Sequence, residues 1–228
     1  MAVRFRVRRF ASRAALDTAL AERLRSELEG AGEPAAVMLS GGRTPLTAFR
    51  TLGAETLSPS AGLRLLYSDE RHVPADSDAS NFHQSRPLLE ALALPEDRVL
   101  RVHTELPLAD AADDYERQLA ALLHAVPALR FGLLGLGADG HTASLFSAAD
   151  LERAAGRFAI AVHRPDGRDA VSVTPELLAR FETLLIVAAG ADKRAVSRRL
   201  LAQEAEVVAV RAVAAREIVD VWGDSEAL

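Results

Sequence analysis

The sequence of 228 residues predicts an α/β fold with a mainly parallel sheet flanked by helices. Strand-like and helix-like segments alternate along the chain, as they do when crossover helices join parallel strands. Several strand-like segments consist almost entirely of apolar residues, such as "AAVML" in the segment 35–40 and "LLIVAA" in the segment 183–190, which is typical of strands buried on both faces. No repeat or low-complexity linker interrupts this pattern, so we expect one domain over residues 1–228.

The first half of the chain supplies three strands and three helices. The segment "VRFRV" alternates apolar and charged residues like a half-buried strand, and residues 12–29 carry apolar side chains on one helical face. The run 35–40 predicts a short buried strand. The glycine turn after it enters a helix with Thr44 as N-cap and Pro45 at the first helical position. The remaining elements of this half are a strand at 63–68 and a helix at 81–93.

The second half continues the alternation. The segment "DRVLRVH" (97–103) predicts a strand, residues 109–124 a long helix, and "RFGLLGL" (130–136) a buried strand. After a glycine-rich loop, "HTASLFS" (141–147) predicts a short helix. The last elements are strands at 158–163, 170–174, 183–190 and 216–223, and a helix that begins at Asp192.

The composition narrows the class of protein. A net charge of -5 and a pI of about 5.7 disfavour a general nucleic-acid binder. No apolar stretch reaches the length of a membrane span, and the basic N-terminus lacks the apolar segment of a signal peptide. The absence of cysteine excludes disulfides and thiolate catalysis. We therefore expect a cytoplasmic protein that binds neither nucleic acid nor a membrane.

Four polar loops follow apolar strands, and the carboxyl ends of parallel strands are where such sheets bind ligands. The loops are "SGGRTP" (40–45), "SDERHVPADSDASN" (68–81), "GLGADGHTAS" (135–144) and "GADK" (190–193). In the first, two glycines let the backbone approach an anion, while Ser40, Arg43 and Thr44 add hydroxyls and charge. An ordinary strand-to-helix turn is the alternative interpretation.

The second loop does not predict a calcium site. Asp76, Asp78 and Ser80 have the alternate spacing of calcium ligands, but Asn81 and Pro87 stand where that loop needs glycine and glutamate. The six histidines show no close spacing of metal ligands. We predict neither a metal nor a cofactor.

The third loop combines glycines with a histidine. Gly135, Gly137 and Gly140 match the G-x-G-x-x-G pattern, but the predicted helix after them is short and no acidic residue ends the next strand, so a dinucleotide site is disfavoured. Asp139 and His141 would stand at the start of that short helix. Its positive end would favour a neutral imidazole, which can take a proton from water, and Asp139 could orient the ring. A capping or core histidine is the alternative.

Without a G-x-S-x-G elbow, water activated by histidine is the economical chemistry, and it suits an activated ester better than an amide. The segments "LSGGRTP", "SDERHVP", "SNFHQSR" and "GLGADGHTASLF", with "YERQL" and "GADK" more loosely, span residues 39–193. In these segments the chain resembles the 6-phosphogluconolactonases of the pentose phosphate pathway. The resemblance implies a Rossmann-like three-layer sandwich shared with the glucosamine-6-phosphate deaminases. It also implies metal-free hydrolysis of 6-phospho-D-glucono-1,5-lactone to 6-phospho-D-gluconate, with the motif histidine as acid/base.

On this basis we predict His141 and Asp139 as the catalytic residues. The predicted substrate and phosphate ligands are Ser40, Gly41, Gly42, Arg43, Asp69, Arg71, Asn81, Arg168 and Lys193. The family usually has an arginine directly before the strand "VSVT", where this chain has Ala170 and, two positions earlier, Arg168. It also commonly has a Pro-Ala-Ser stretch near the C-terminus, which "VVAVRAVAAREIV" lacks.

The expected partner is a small sugar phosphate lactone, bound by a monomer or weak homodimer. Two alternatives stay open, a deaminase-like isomerase and a non-catalytic sugar-phosphate sensor of the same fold. Ammonia release from glucosamine 6-phosphate would indicate the first. Tight binding of 6-phosphogluconate without turnover would indicate the second.

Overall fold

The computed structural model describes residues 3–30, 35–126 and 128–228, and strands alternate with helices through most of these ranges. The strands are β1 (Arg4–Phe10), β2 (Ala35–Leu39), β3 (Arg64–Tyr67), β4 (Asp69–Arg71), β5 (Ala128–Gly135), β6 (Ala159–His163), β7 (Asp169–Val173), β8 (Phe181–Ala188) and β9 (Ile218–Asp224). The α-helices are α1 (Arg13–Glu29), α2 (Arg43–Gly53), α3 (Asn81–Gln84), α4 (Arg86–Leu92), α5 (Leu108–Ala125), α6 (Ala148–Arg153), α7 (Pro175–Leu178), α8 (Arg194–Leu201) and α9 (Val208–Ala212).

The main sheet has six strands in the order β1-β9-β8-β5-β2-β3, and every pair in it is parallel. Helices cover both of its faces, which confirms the predicted mainly parallel sheet flanked by helices. The two faces pack against separate apolar clusters, one containing side chains of α5, α8 and α9 and the other containing side chains of α1, α2 and α4. The result is three layers with β2, β5 and β8 inside.

The apolar character of β2 follows from this position. Ala36 and Met38 point into the cluster with α5, and Val37 and Leu39 point into the cluster with α1, because successive side chains of a strand alternate between faces. Helix α1 turns a stripe of fully buried leucines toward the same cluster, at Leu16, Leu20, Leu24 and Leu28. Replacing one such leucine by alanine typically costs about 2–5 kcal/mol of stability.

The first strand, β1, is an edge of this sheet, since β9 is its only partner among the described strands. Arg4, Arg6, Arg8 and Arg9 are exposed on it. None of the helices that the structure describes is both long and apolar enough to cross a membrane.

A second, antiparallel sheet of β4, β7 and β6 stands beside the main one. Ser68 joins the two sheets, because its N–H donates to the carbonyl of Leu39 (2.8 Å) and its carbonyl accepts from the N–H of Val173 (2.9 Å). The sequence predicts β6 and β7 as strands but treats β4 as part of a loop. Strand β4 has only three residues, all charged, and pairs with a strand about a hundred positions later.

Two other predicted elements differ from the structure. The helix predicted at 81–93 is split into α3 and α4 at Ser85, since Pro87 has no amide hydrogen to bond the carbonyl of His83. The strand predicted at 97–103 is wrong. Residues 96–98 form a 3₁₀ turn, and in the segment after it only Val99 bridges β3.

Candidate active site

A cavity of about 290 Å³ lies at the carboxyl-terminal edge of the main sheet, where the chain leaves β2, β5 and β8. The predicted site residues that line it are Ser40, Gly41, Gly42, Arg43, Asp69, Arg71, His141 and Lys193. A larger and mainly apolar cavity of about 750 Å³ lies between α4 and α5, but none of the predicted site residues lines it. The smaller cavity is therefore the candidate site.

The turn after β2 brings backbone N–H groups to this cavity. Gly42 has a φ of +108°, which side chains other than glycine rarely adopt, and α2 begins directly after it at Arg43. The prediction of Thr44 as N-cap is therefore wrong, because Gly42, with its positive φ, is the N-cap and the helix starts two residues earlier. Amide groups in a first helical turn lack partners within the helix. Those of Arg43 and Thr44 can bind an anion, helped by the positive end of α2.

The preceding residue, Gly41, must be a glycine because Asn81 packs against it. A Cβ atom at Gly41 would lie 2.0 Å from Asn81 Oδ1. Asn81 is buried, and its Nδ2 donates to the carbonyl of Asp69 (2.8 Å). Asn81 does not line the cavity and lies behind the turn that does.

The second loop contributes Asp69 and Arg71 from β4. The buried carboxylate of Asp69 accepts from Ser68 Oγ and from Ser144 Oγ, at 2.7 Å each. Ser40 Oγ lies 3.0 Å from Ser68 Oγ and extends this network to the β2 turn. Arg71 Nη1 donates to the carbonyl of Ala79 (2.9 Å), which holds the guanidinium at the cavity wall.

The turn after β5 folds back on itself and does not enter a helix. Gly137 N–H donates to the carbonyl of His141 (2.8 Å), and Gly140 N–H donates to the carbonyl of Gly137 (3.0 Å). The short helix predicted at 141–147 is wrong, because Thr142 bridges Leu145 and the next helix, α6, begins only at Ala148. The predicted effect of a helix dipole on the imidazole therefore does not apply.

Within this turn Asp139 orients His141. Asp139 Oδ1 lies 2.5 Å from His141 Nδ1 and also accepts from the His141 backbone N–H (3.2 Å). If Nδ1 carries the hydrogen of this bond, Nε2 carries the lone pair that a base needs. Burial alone would raise the pKa of Asp139, but attraction to His141 and the hydrogen bonds from it are together stronger and lower that pKa. Asp139 lies outside the cavity lining, as a group that acts on the ring.

The ring of His141 has little freedom. A Cβ atom at Gly137 would lie 2.1 Å from Nδ1, so only glycine leaves room for the imidazole. The ring of Phe146 also packs against the His141 imidazole, and the two ring centroids are 4.3 Å apart. The His141 side chain is 26% exposed, so water reaches it.

The structure separates two arginines near the β6–β7 connection. Arg164 lines the cavity, its side chain is 13% exposed, and its Nη1 donates to Ser144 Oγ (3.0 Å). Arg168, the residue that the sequence favoured, is 56% exposed beside Asp166 and does not line the cavity. The tight turn between β6 and β7 directs Arg164 toward the cavity and Arg168 toward solvent.

Sequence reasoning also missed Arg13, which lines the cavity from the start of α1 and donates to the carbonyl of Arg43 (3.3 Å). A sequence signal could have identified Arg13 and Arg164. Like the predicted site residues in the loops, both follow the end of a strand almost directly. Lys193 lines the cavity from the turn after β8, and its Nζ lies 3.5 Å from Asp192 Oδ2.

The lining is strongly positive. Among the described residues that line the cavity, the cations are Arg13, Arg43, Arg71, Arg164 and Lys193, and the carboxylate is Asp69. Such a cleft attracts an anion even though the whole chain carries a net charge of -5. The described residues contain no group of three or more His, Cys, Asp or Glu side chains arranged to hold a metal ion.

Comparison with known proteins gives one consistent family. The model of the family described as glucosamine-6-phosphate isomerases/6-phosphogluconolactonase matches residues 11–222 of this chain. That range contains every residue of the candidate site.

Individual relatives agree with this match. A 6-phosphogluconolactonase of Rattus norvegicus is 35% identical over 199 residues, which covers 82% of this chain and 77% of that protein. A 6-phosphogluconolactonase of Thermotoga maritima is 42% identical over 117 residues, an alignment that spans only about half of each chain (51% and 50%). The crystal structure of 6-phosphogluconolactonase from Thermotoga maritima superposes with a TM-score of 0.80 and 25% identity, covering 99% of this chain and 100% of that chain.

Proposed function

The chain belongs to the glucosamine-6-phosphate isomerase/6-phosphogluconolactonase family, and from that premise we propose that it hydrolyses 6-phospho-D-glucono-1,5-lactone to 6-phospho-D-gluconate in the oxidative pentose phosphate pathway. One observation carries the proposal. His141 Nδ1 lies 2.5 Å from Asp139 Oδ1, and the His141 ring faces the cavity. The lining of that cavity contains five cationic side chains and the buried carboxylate of Asp69. This arrangement combines a base for water with a binding site for a phosphorylated substrate.

In the proposed complex the phosphate binds to Arg71, Arg164 and Lys193 and to the backbone N–H groups of the turn after β2. Guanidinium groups donate in pairs to phosphate oxygens, while the lysine ammonium adds a compact charge. Arg164 here replaces Arg168 in the predicted set, since it has the more buried side chain and lines the cavity.

In the proposed reaction His141 Nε2 takes a proton from water as the water oxygen attacks C1 of the lactone. The C1–O bond of the ring then breaks, and the protonated imidazole gives its proton to the departing ring oxygen. Asp139 keeps the ring oriented through both transfers.

The direct test is a lactonase assay of the purified protein on freshly generated lactone, with spontaneous hydrolysis subtracted. We expect turnover of 6-phosphogluconolactone and no ammonia from glucosamine 6-phosphate. Ammonia release without lactone hydrolysis would indicate the deaminase-like alternative. Tight binding of 6-phosphogluconate with neither activity would indicate the sensor.

We further propose that the chain works in the cytoplasm, because a phosphorylated sugar does not cross a lipid bilayer unaided. We also propose a monomer or weak homodimer as the working form. Cell fractionation tests the first, and sedimentation of the purified protein over a range of concentrations tests the second.

A further inference from the structure

The carboxylate of Glu70 is buried and has no role in the proposed reaction. It stands in β4 between Asp69 and Arg71, which line the cavity, and its own side chain points to the opposite face of the strand. Glu70 is 2% exposed. Burial raises its pKa above the usual range, although hydrogen bonds from four donors act in the other direction. A buried carboxylate is costly to maintain unless hydrogen bonds compensate it, so the groups that it holds are informative.

Those four donors all lie in segment 71–82. Oε1 of Glu70 accepts from the backbone N–H groups of Asn81 (2.7 Å) and Arg71 (2.8 Å). Oε2 accepts from the backbone N–H of Phe82 (2.7 Å) and from Ser80 Oγ (3.0 Å). A single carboxylate therefore ties residues 80–82, where the loop returns, to the strand from which the loop departs.

Two parts of the cavity wall depend on this tie. The guanidinium of Arg71 donates to the carbonyl of Ala79, the residue directly before the tied segment. Asn81 holds the carbonyl of Asp69 through Nδ2 and places Oδ1 against Gly41. A shift of residues 79–82 would thus move both a cation and the glycine turn that face the ligand.

We propose that Glu70 is a positioning residue that sets Arg71 and the Gly41 turn for the substrate's phosphate. The inference rests on the proposed function, in which both of these groups bind that phosphate. Loss of the carboxylate weakens binding of the phosphorylated lactone and leaves the chemistry at His141 intact.

The test compares Glu70→Gln and Glu70→Ala on the phosphorylated lactone and on unphosphorylated gluconolactone. We expect KM for the phosphorylated lactone to rise about tenfold in Glu70→Ala, a loss comparable to one charge-assisted hydrogen bond. The rise should be smaller in Glu70→Gln, because one oxygen still accepts from two N–H groups. The kcat/KM for unphosphorylated gluconolactone should not change.

A merely structural role predicts a different pattern. If Glu70 only stabilises the fold, its variants lower kcat on both substrates in proportion to the folded fraction and leave KM unchanged, which would overturn the inference. Glu116→Gln is the matched control. Its carboxylate also accepts from two backbone N–H groups, of Phe158 and Ala159 (2.7 Å each), and it does not line the cavity.

A double-mutant cycle tests the route through Arg71. We expect Glu70→Ala to raise KM less in an Arg71→Ala background than in the wild type, because the cation that it positions is already gone. An equal rise in KM in both backgrounds would contradict an effect of Glu70 through Arg71. If the wild type hydrolyses no lactone, the proposed function fails by itself, and calorimetric binding of 6-phosphogluconate to the wild type and Glu70→Gln still decides the positioning role.

Discussion

Two glycine turns border the cavity, one after β2 and one after β5, and the chain takes a different course beyond each of them. Both contain a glycine with positive φ, Gly42 at +108° and Gly140 at +94°. The first turn runs directly into α2, whereas the second folds back on itself and reaches α6 only at Ala148. The first therefore offers backbone N–H groups to a ligand, and the second offers an imidazole.

In each turn one glycine leaves room for a polar side chain. A Cβ atom at Gly41 would overlap Asn81 Oδ1, and one at Gly137 would overlap His141 Nδ1, at 2.0 and 2.1 Å. In the proposed reaction, binding and chemistry are thus divided between the turns, although both are glycine-rich and lie at the same sheet edge. Substitutions in the second turn should mainly affect kcat, and substitutions in the first should mainly affect KM.

The largest effect should come from His141→Ala. Removing a general base typically lowers kcat by about 10²- to 10⁴-fold. We expect KM for the phosphorylated lactone to change little, because the cations that bind the phosphate remain. The measurement is steady-state hydrolysis with the spontaneous rate subtracted, and comparable rates in variant and wild type would remove His141 from the mechanism.

Gly137→Ala tests whether the turn after β5 contributes to catalysis by fixing the position of the His141 ring. The added methyl group overlaps the imidazole and must displace it, so we expect kcat to fall by about 10- to 100-fold, as expected for a misplaced catalytic group. KM should stay close to that of the wild type. A variant with raised KM and unchanged kcat would show that the turn serves binding after all.

Asp139→Asn should lower kcat by about tenfold or more, because an amide can hold the imidazole in the wrong tautomer. The variant should also lose a pH dependence. The pKa of Asp139 is lowered in the folded protein, so its ionised form contributes stability above the unfolded pKa, and that contribution is lost as pH falls through the folded value. The free energies of unfolding of the variant and the wild type should therefore differ at neutral pH and become equal in strong acid, which denaturant unfolding measured over a range of pH would test.

Gly41→Ala should have the opposite kinetic signature to Gly137→Ala. Its methyl group pushes against buried Asn81 and shifts the N–H groups that face the anion, so we expect KM to rise about tenfold. Because overpacking also destabilises a fold, thermal unfolding serves as the control. A fall in kcat with unchanged KM would place the first turn in the chemical step.

The smallest effect separates two nearby arginines. Arg164→Ala should raise KM for the phosphorylated lactone by about fivefold, in the range of one charge-assisted contact. Arg168→Ala is its matched control and should change nothing, because that side chain is exposed outside the cavity. Equal effects of the two substitutions would mean that Arg164 does not bind the phosphate.

The sequence predicted the main sheet because strand residues buried on both faces are apolar, as β2 and residues 184–188 of β8 show. It also predicted that the loops after these strands would meet, which follows from parallel topology. It missed β4, since three charged residues carry no strand pattern and their partner strand β7 is distant in sequence.

The differences between the predicted and the observed surroundings of the candidate site have local causes. A glycine followed by "HTASLFS" resembles a helix start, but Ala143 adopts a φ of +49° that no helix allows. The prediction of Arg168 follows from its being the nearest arginine before "VSVT", whereas the directions of the Arg164 and Arg168 side chains depend on the turn between β6 and β7. Neither backbone detail can be read from the residue types alone.

The four exposed arginines of β1 also have a consequence for contacts between copies of this chain. An open strand edge is a template on which a neighbouring molecule can extend the sheet into an aggregate. Guanidinium groups on two such edges repel each other, so stacking copies side by side at β1 is disfavoured. We therefore expect this row of arginines, in which Arg6 is ion-paired with Asp220, to oppose edge-to-edge aggregation of a chain with 49% hydrophobic residues.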